Sequence, residues 1–346
     1  MKNNILIFKL SSIGDILMAT PSFSAIRKTN PDSKIVILTG LWSKEIIINN
    51  PNIDEIIAID ENIFWNKRIF QIIKLYFKLK SYNFQKVYQM HWSPFFNLFF
   101  KLLAIPERTG FNRNNKGFFL TKTVDYTEGK KNITTIQSYI KLADNEYLKY
   151  PDNPQIFLTQ EETSWAKNFL AKHNIKPSCI LGVAPGGGKN PKTFMPSKRW
   201  PIEYFTKLSQ MIANKNDCFL IVFGGDSDKD LSANITKHIA NTNLINLTGQ
   251  LSLKQTAALM AHCKLVISND SGLLHLAIAS GTKTVSIFGP TSPYDKFPKN
   301  DNNTFFFKAA ECSPCYVNGN FPNCIDHSCM KQILPEAVFS KVEGML

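Results

Sequence analysis

Asp270 opens a stretch that reads "DSGLLHLAIASGTKTVSIFGPTSP". An acid, Ser-Gly, an apolar helical pattern with one histidine and then a strand-like run follow the strand-like "CKLVISN". In open α/β sheets ligands sit at the carboxyl ends of strands. Gly272 lets a ligand approach the backbone closely. The free amides of the first helical turn, with the helix dipole, suit phosphate oxygens. Ser271 or Asp270 can cap the helix, and His275 lies one turn further on, within reach of the same crevice. Asp270 is out of place beside a phosphate, so it either caps amides or holds a hydroxyl. The plainer alternative is an ordinary N-cap with a packed histidine.

"GVAPGGGKNPKTFMPSKRWPIEYF" also runs from a strand end into a helix. Gly186, Gly187 and Gly188 allow a tight loop that exposes amides, and Lys198 and Arg199 follow. Glycines and cations at a strand end suit a diphosphate. The stretch is no Walker loop, since no Gly-Lys-Ser/Thr closes it. "FGGDSDKD" is a third strand-end loop, where Asp226 could meet nucleoside or sugar hydroxyls or could be part of a plain Gly/Asp turn. Near the start, "KLSSIGDILMATPSFSAIRKTNP" places Ser11, Ser12 and Gly14 in the loop after the first strand, with Asp15 opening a helix. A carboxylate at such a junction is either a general base or a cap.

The elements that position these residues alternate strand and helix, as α/β folds do. In the first half strands are expected at Ile5–Phe8, Lys34–Leu38, Glu55–Ile59 and Gln85–Tyr88. "YLKYPDNPQIFL" then reads as a linker. The alternation restarts with strands at Cys179–Val183, Cys218–Phe223, Lys264–Ser268 and Thr284–Phe288. Helices are expected at Pro201–Ala213, Lys229–Ala240, Leu253–His262 and Gly272–Ser280. The length of 346 residues suggests two domains, and two successive Rossmann-sized units follow from the pattern. No run reaches the roughly 18 apolar residues that span a bilayer. Met1-Lys2-Asn3-Asn4 leads straight into a strand pattern, so no signal peptide is expected and the chain reads as soluble and cytoplasmic. The net charge of +13 points to an anionic partner: nucleic acid, a phosphorylated metabolite or an acidic membrane surface. A lysine-rich proteome accounts for it equally well.

"LSSIGDILMATPSFSAIRKTNPDSKI", "PGGG…SKRWPIEYFTKL" and "ISNDSGLLHLAIASGTKTVSIFGPTSP" together resemble the lipopolysaccharide heptosyltransferases of glycosyltransferase family nine, over most of the chain and in the family's order. The resemblance implies an α/β GT-B architecture with two Rossmann-like domains facing across a cleft. Residues 1–150 would take the acceptor and 151–331 the nucleotide-sugar. The final 332–346 would form a helix packing back toward the first domain. It implies an inverting, metal-independent transfer from ADP-heptose to a lipid A–Kdo acceptor in the inner core, at the cytoplasmic face of the inner membrane, with no cofactor. Carried onto this sequence, Asp15 falls on the catalytic base, and Ser11, Ser12 and Gly14 lie on the acceptor side. Lys198 falls on the lysine that neutralises the leaving diphosphate. Gly186, Gly187, Gly188, Thr193, Asp226, Asp270, Ser271, Gly272, Leu273 and His275 fall on the donor side.

"FWNKRIFQIIKLYFKLKSYNF" and "HWSPFFNLFFKLLAIPERTGFNRNNKGFF" interleave aromatics with Lys and Arg. Such a face fits an anionic membrane, whereas single-stranded nucleic acid is disfavoured. Cys179, Cys218 and Cys263 sit in apolar runs and read as buried thiols. Cys312, Cys315, Cys324 and Cys329 form C-x2-C-x8-C-x4-C, which could hold a structural zinc or only brace a loop. A double-Rossmann oxidoreductase is the rival enzyme reading, weakened because "LSSIGD" carries no dinucleotide glycine fingerprint. A non-catalytic nucleotide-sugar binding protein is the rival outside catalysis.

Overall fold

The structure is a computed structural model that describes residues 3–10, 12–125, 133–175, 179–188, 194–215, 218–239, 243–296, 301–316, 323–324 and 326–346. It divides into two compact units, Met1–Phe157 and Leu158–Leu346. The division falls within the expected linker, seven residues past position 150.

The first unit is built on β1 (Asn4–Lys9), β2 (Lys34–Gly40), β3 (Glu55–Ile59), β4 (Lys86–Gln89), β5 (Glu107–Asn112) and β6 (Lys122–Asp125). They form one parallel sheet in the order β3-β2-β1-β4-β5-β6. Ile5, Leu6, Ile7 and Phe8 are all buried, because a parallel strand in the middle of a sheet is covered on both faces. Phe8 packs on Phe96 and Phe100, with ring centroids 4.6 and 5.0 Å away. Helix Ile13–Thr29 follows β1 and packs on helix Thr135–Ala143. A reciprocal capping box between Thr134 and Gln137 starts the second of these helices.

The second unit repeats the plan with β7 (Ile180–Ala184), β8 (Phe219–Val222), β9 (Leu244–Asn246), β10 (Leu265–Asn269), β11 (Lys283–Phe288) and β12 (Asn303–Phe307). Their order is β12-β11-β10-β7-β8-β9, again all parallel. Numbered from its own first strand, each sheet runs 3-2-1-4-5-6, the doubly wound order. The strand order reverses between β1 and β4 in one unit and between β7 and β10 in the other. Those two switch points are where such folds bind ligands.

The final helix, Pro335–Glu343, lies in the second unit, where Val338, Phe339 and Val342 join the core cluster of Leu181, Leu265 and Val285. Cys179 and Cys218 are not free thiols but a disulfide joining the starts of β7 and β8, with Cα atoms 4.6 Å apart. Cys263 is buried, as expected. Among the described residues no helix is long and apolar enough to cross a membrane.

Candidate active site

At the second switch point, Pro185–Gly188 follows β7 and Asp270-Ser271 follows β10. Asn269 ties the two strand ends together: its Nδ2 donates to the carbonyls of Pro185 (2.8 Å) and Gly186 (3.0 Å). Its Oδ1 accepts from the backbone N–H of Trp200 at 3.0 Å. Trp200 is fully buried, and its Nε1 donates to the carbonyl of Ile333 at 2.9 Å. The segment carrying Lys198 and Arg199 is therefore anchored in the core.

The glycine run is sterically required. A Cβ on Gly186 would lie 2.3 Å from Cγ of Asp228. Gly188 has φ +74°, and a Cβ there would lie 2.2 Å from the carbonyl oxygen of Met195. Gly187 lies against Ser271. Arg199 clamps this loop, with Nε donating to the carbonyl of Gly187 and Nη2 to Oδ1 of Asp228, both at 2.9 Å.

Asp270 resolves the question its position raises. It is buried, and its Oδ2 accepts from Lys198 Nζ and from Thr291 Oγ1, each at 2.6 Å. Burial works to raise its pKa. The ammonium groups of Lys198 and Lys296 and the two hydrogen bonds outweigh burial and hold the carboxyl well below the usual carboxylate range. The acid beside the phosphate-type loop is thus a paired anion that fixes a lysine at the mouth of the site. Ser271, not Asp270, caps helix Gly272–Ala279, accepting from the N–H of Leu274 at 3.4 Å. Gly272 and Leu273 form its partly exposed first turn, and His275 is buried one turn in.

Asp226 is placed apart from this group. It is exposed, and its carboxylate pairs with Lys229 at 2.8 Å. The carboxylate of "GGDSD" that turns into the loop is Asp228, whose Oδ2 accepts from the N–H of Gly225 at 3.1 Å. Thr193 and Ser11 lie outside the described residues.

At the first switch point Ser12 is the N-cap of helix Ile13–Thr29, though its side chain makes no cap bond. Instead its Oγ donates to Oδ2 of Asp15 at 2.9 Å. Asp15 is partly exposed in the first turn, and Gly14 beside it is buried.

The four cysteines that could hold zinc or brace a loop flank residues outside the described set, and among the described residues no group of three or more His, Cys, Asp or Glu side chains is placed to hold a metal ion. Cys329 is turned into the core against Gly289, while Cys312 is exposed.

Sequence reasoning missed Arg199 as a clamp, together with Asp228, Asn269 and Thr291. Asn269 carried a readable signal, as a polar residue closing a buried strand. Thr291 and Asp228 carried none, since only folding brings them to their partners.

The family model for glycosyltransferase family 9 (heptosyltransferase) matches residues 72–325. The chain belongs to this family. Family members similar to it include lipopolysaccharide heptosyltransferase 2 of Escherichia coli K12, 25% identical over 306 residues, covering 84% of this chain and 83% of the relative. Lipooligosaccharide heptosyltransferase 2 of Haemophilus influenzae is 26% identical over 356 residues, covering 99% of both chains. Among solved structures, E. coli ADP-heptose LPS heptosyltransferase II superposes with a TM-score of 0.77 at 22% identity, covering 100% of this chain and 98% of that one. The family 9 chain described here therefore has the GT-B heptosyltransferase fold and is a glycosyltransferase.

Proposed function

We propose that this family 9 enzyme moves a heptose from ADP-heptose to the inner core of lipopolysaccharide, on a lipid A–Kdo acceptor, with inversion in one displacement. The observation that carries the donor half is the Lys198–Asp270 pair set beside Gly186–Gly188 and the cap of Ser271. A fixed cation and a loop able to expose amides are what a departing diphosphate needs, because they meet charge as it develops. In the acceptor half, Asp15 takes the proton from an acceptor hydroxyl. The hydroxyl oxygen bonds to the anomeric carbon, the bond from that carbon to the phosphate oxygen breaks, and its electron pair leaves with ADP. Lys198 and the amides of the donor loop meet the added negative charge.

The lipid acceptor also gives a reading for helix Ile69–Lys80. Leu75 and Leu79 face the core, while Ile69, Ile73 and Phe77 line the opposite, exposed side with Phe70 beside them. Lys74, Lys78 and Lys80 flank that apolar stripe. Apolar side chains rimmed by ammonium groups suit the surface of an anionic bilayer, here the cytoplasmic face of the inner membrane.

The test is ADP release on incubation with ADP-heptose and a lipid A–Kdo acceptor, with UDP- and GDP-sugars as controls. Acceptor-dependent release from ADP-heptose alone is expected. Release from another nucleotide-sugar, with none from ADP-heptose, would overturn the heptose assignment and leave the fold and family intact.

A further inference from the structure

In the first unit Trp42 follows β2, Trp65 follows β3, Trp92 follows β4 and Arg113 follows β5. Three of the chain's five tryptophans thus stand at the end of the sheet where open α/β folds bind ligands. At the second switch point the corresponding turns are built from glycine, serine and aspartate instead: Gly186–Gly188, Gly224-Gly225 and Asp270-Ser271. The turn of Trp42 is pinned. Ser43 is buried, its Oγ lies 3.0 Å from Oγ1 of Thr39, and Thr39 donates to the carbonyl of Lys9 at the end of β1 at 2.9 Å. The same turn, Leu41–Ser43, packs on helix Ile13–Thr29, whose first turn holds Asp15. Yet Leu41 and Trp42 are 60% and 54% exposed. Trp65 is 39% exposed; its ring lies 6.2 Å from that of His91, which lies 6.2 Å from that of Phe8 on β1. Trp92 packs on Phe111 at 6.0 Å, and the guanidinium of Arg113 sits 4.5 Å from the centroid of its ring. A stacked guanidinium keeps its N–H donors in its own plane, where they still meet an anion edge-on.

We propose that Trp42, Trp65 and the Arg113–Trp92 stack determine acceptor specificity: the two indoles stack on the C–H face of a pyranose, and the guanidinium pairs with a carboxylate on that sugar. The proposal rests on the reading of the first unit as the acceptor side. A pyranose carries C–H groups on its faces and hydroxyls around its edge. Stacking therefore covers the apolar face and leaves the hydroxyls at the rim, where Asp15 takes a proton. An indole supplies a large, stiff apolar surface at small conformational cost. Trp42 has more than half of its surface in water on a turn that does not need it for anchorage, so the fold gains little from an indole there and a ligand gains much. Both exposed indoles stand at strand ends, not on the apolar stripe of helix Ile69–Lys80, which assigns them to the glycan and not to the bilayer.

The experiment uses an acyl-free, phosphate-free Kdo oligosaccharide as acceptor, its carboxyl-reduced counterpart, and lipid A–Kdo in anionic vesicles. Trp42→Ala and Trp65→Ala should each raise KM for the oligosaccharide about tenfold. The change should fall in KM and not in kcat, as for binding shared by ground state and transition state. Trp42→Phe and Trp65→Phe should recover most of the loss. Arg113→Met should raise KM for the oligosaccharide and leave that for the carboxyl-reduced form unmoved. Unmoved KM in both alanine variants, or an Arg113→Met effect that persists on the reduced form, overturns the proposal. A loss seen only with vesicles makes the indoles bilayer anchors and overturns it as well. Indole emission on titration with the oligosaccharide gives a reading that needs no turnover and no alanine variant. Quenching that Trp42→Phe and Trp65→Phe each remove in part is expected, and quenching that neither alters overturns the proposal. Binding read this way with no transfer from ADP-heptose would overturn the proposed function and leave this inference standing.

Discussion

The two switch points share a strand order and invert each other's charges. In the first unit the buried charge is a cation, Lys9, and the partly exposed one is an acid, Asp15. In the second the buried charge is an acid, Asp270, and the more exposed one is a cation, Lys198, with side-chain exposures of 5% and 12%. In the second unit the inner charge is paired directly with the outer one, whereas in the first Lys9 bonds to Tyr139 and Asp15 to Ser12. A carboxylate facing outward suits removal of a proton, and an ammonium facing outward suits an anion. On the proposed function, one backbone plan would serve the two halves of the transfer, with an acid outermost in one unit and a cation outermost in the other.

The largest effect should come from breaking the outer acid. Asp15→Asn is expected to cut turnover by about two to four orders of magnitude and to leave ADP affinity by calorimetry near wild type. Retained turnover would remove the base from the first unit and the comparison with it.

Breaking the outer cation should behave differently, because its inner partner is buried. Lys198→Met leaves the carboxylate of Asp270 without its ammonium, which should cost about 3–5 kcal/mol of stability by urea unfolding as well as ADP binding. The double variant Lys198→Met/Asp270→Asn should recover much of that stability and none of the binding. If the single variant is as stable as wild type, the pair is not the anchor described here.

A smaller effect is expected at the clamp. Arg199→Lys keeps the charge and loses the fork that joins the carbonyl of Gly187 to Asp228, worth about 1.5–3 kcal/mol for bonds to charged groups. The stabilisation of Tm by ADP should shrink, and the enzyme without ligand should melt several degrees earlier.

The last prediction concerns pH and uses the inner acid. The Asp270 carboxyl is held well below its ordinary value when folded. It therefore contributes stability that is fully present above the unfolded pKa, near 4, and is lost only as pH falls through the folded value. Comparing wild type with Asp270→Asn, the gap in Tm should be level from pH 7 to about pH 5 and narrow below about pH 4. A gap that narrows on raising the pH would reverse the sign assigned to the pair.

Much of this was legible in the sequence. The central strands were readable because "ILIF", "IVIL" and "LVIS" are unbroken apolar runs, as buried parallel strands must be. β5, β6 and β9 were not: "ERTGFN" and "KTVD" carry few apolar residues and "LIN" is only three residues long, so only pairing with a neighbour makes them strands. The loops at the second switch point were legible as glycine and charge at strand ends, while the sequence left Ser271 and Asp270 as alternatives for the cap. The pairings Lys198–Asp270 and Arg199–Asp228 span 72 and 29 residues, and spacing alone does not reveal them. Asp226 and Asp228 are chemically alike in the sequence, and only the turn decides that Asp228 faces inward.

Asn269 has a consequence for how the glycine loop can vary. A peptide unit is planar and trans, so pinning its carbonyl on one side turns its N–H to the other. The amide of Asn269 pins the carbonyls of Pro185 and Gly186, and Arg199 pins that of Gly187. Between them the N–H groups of Gly186, Gly187 and Gly188 are each turned away from the side chain that holds the unit. The direction in which the loop offers its protons is therefore written into a side chain more than eighty residues downstream. An aspartate in that place, equal in size, would set a negative oxygen against two carbonyls and release both units, leaving the glycines unchanged in identity and without a fixed orientation.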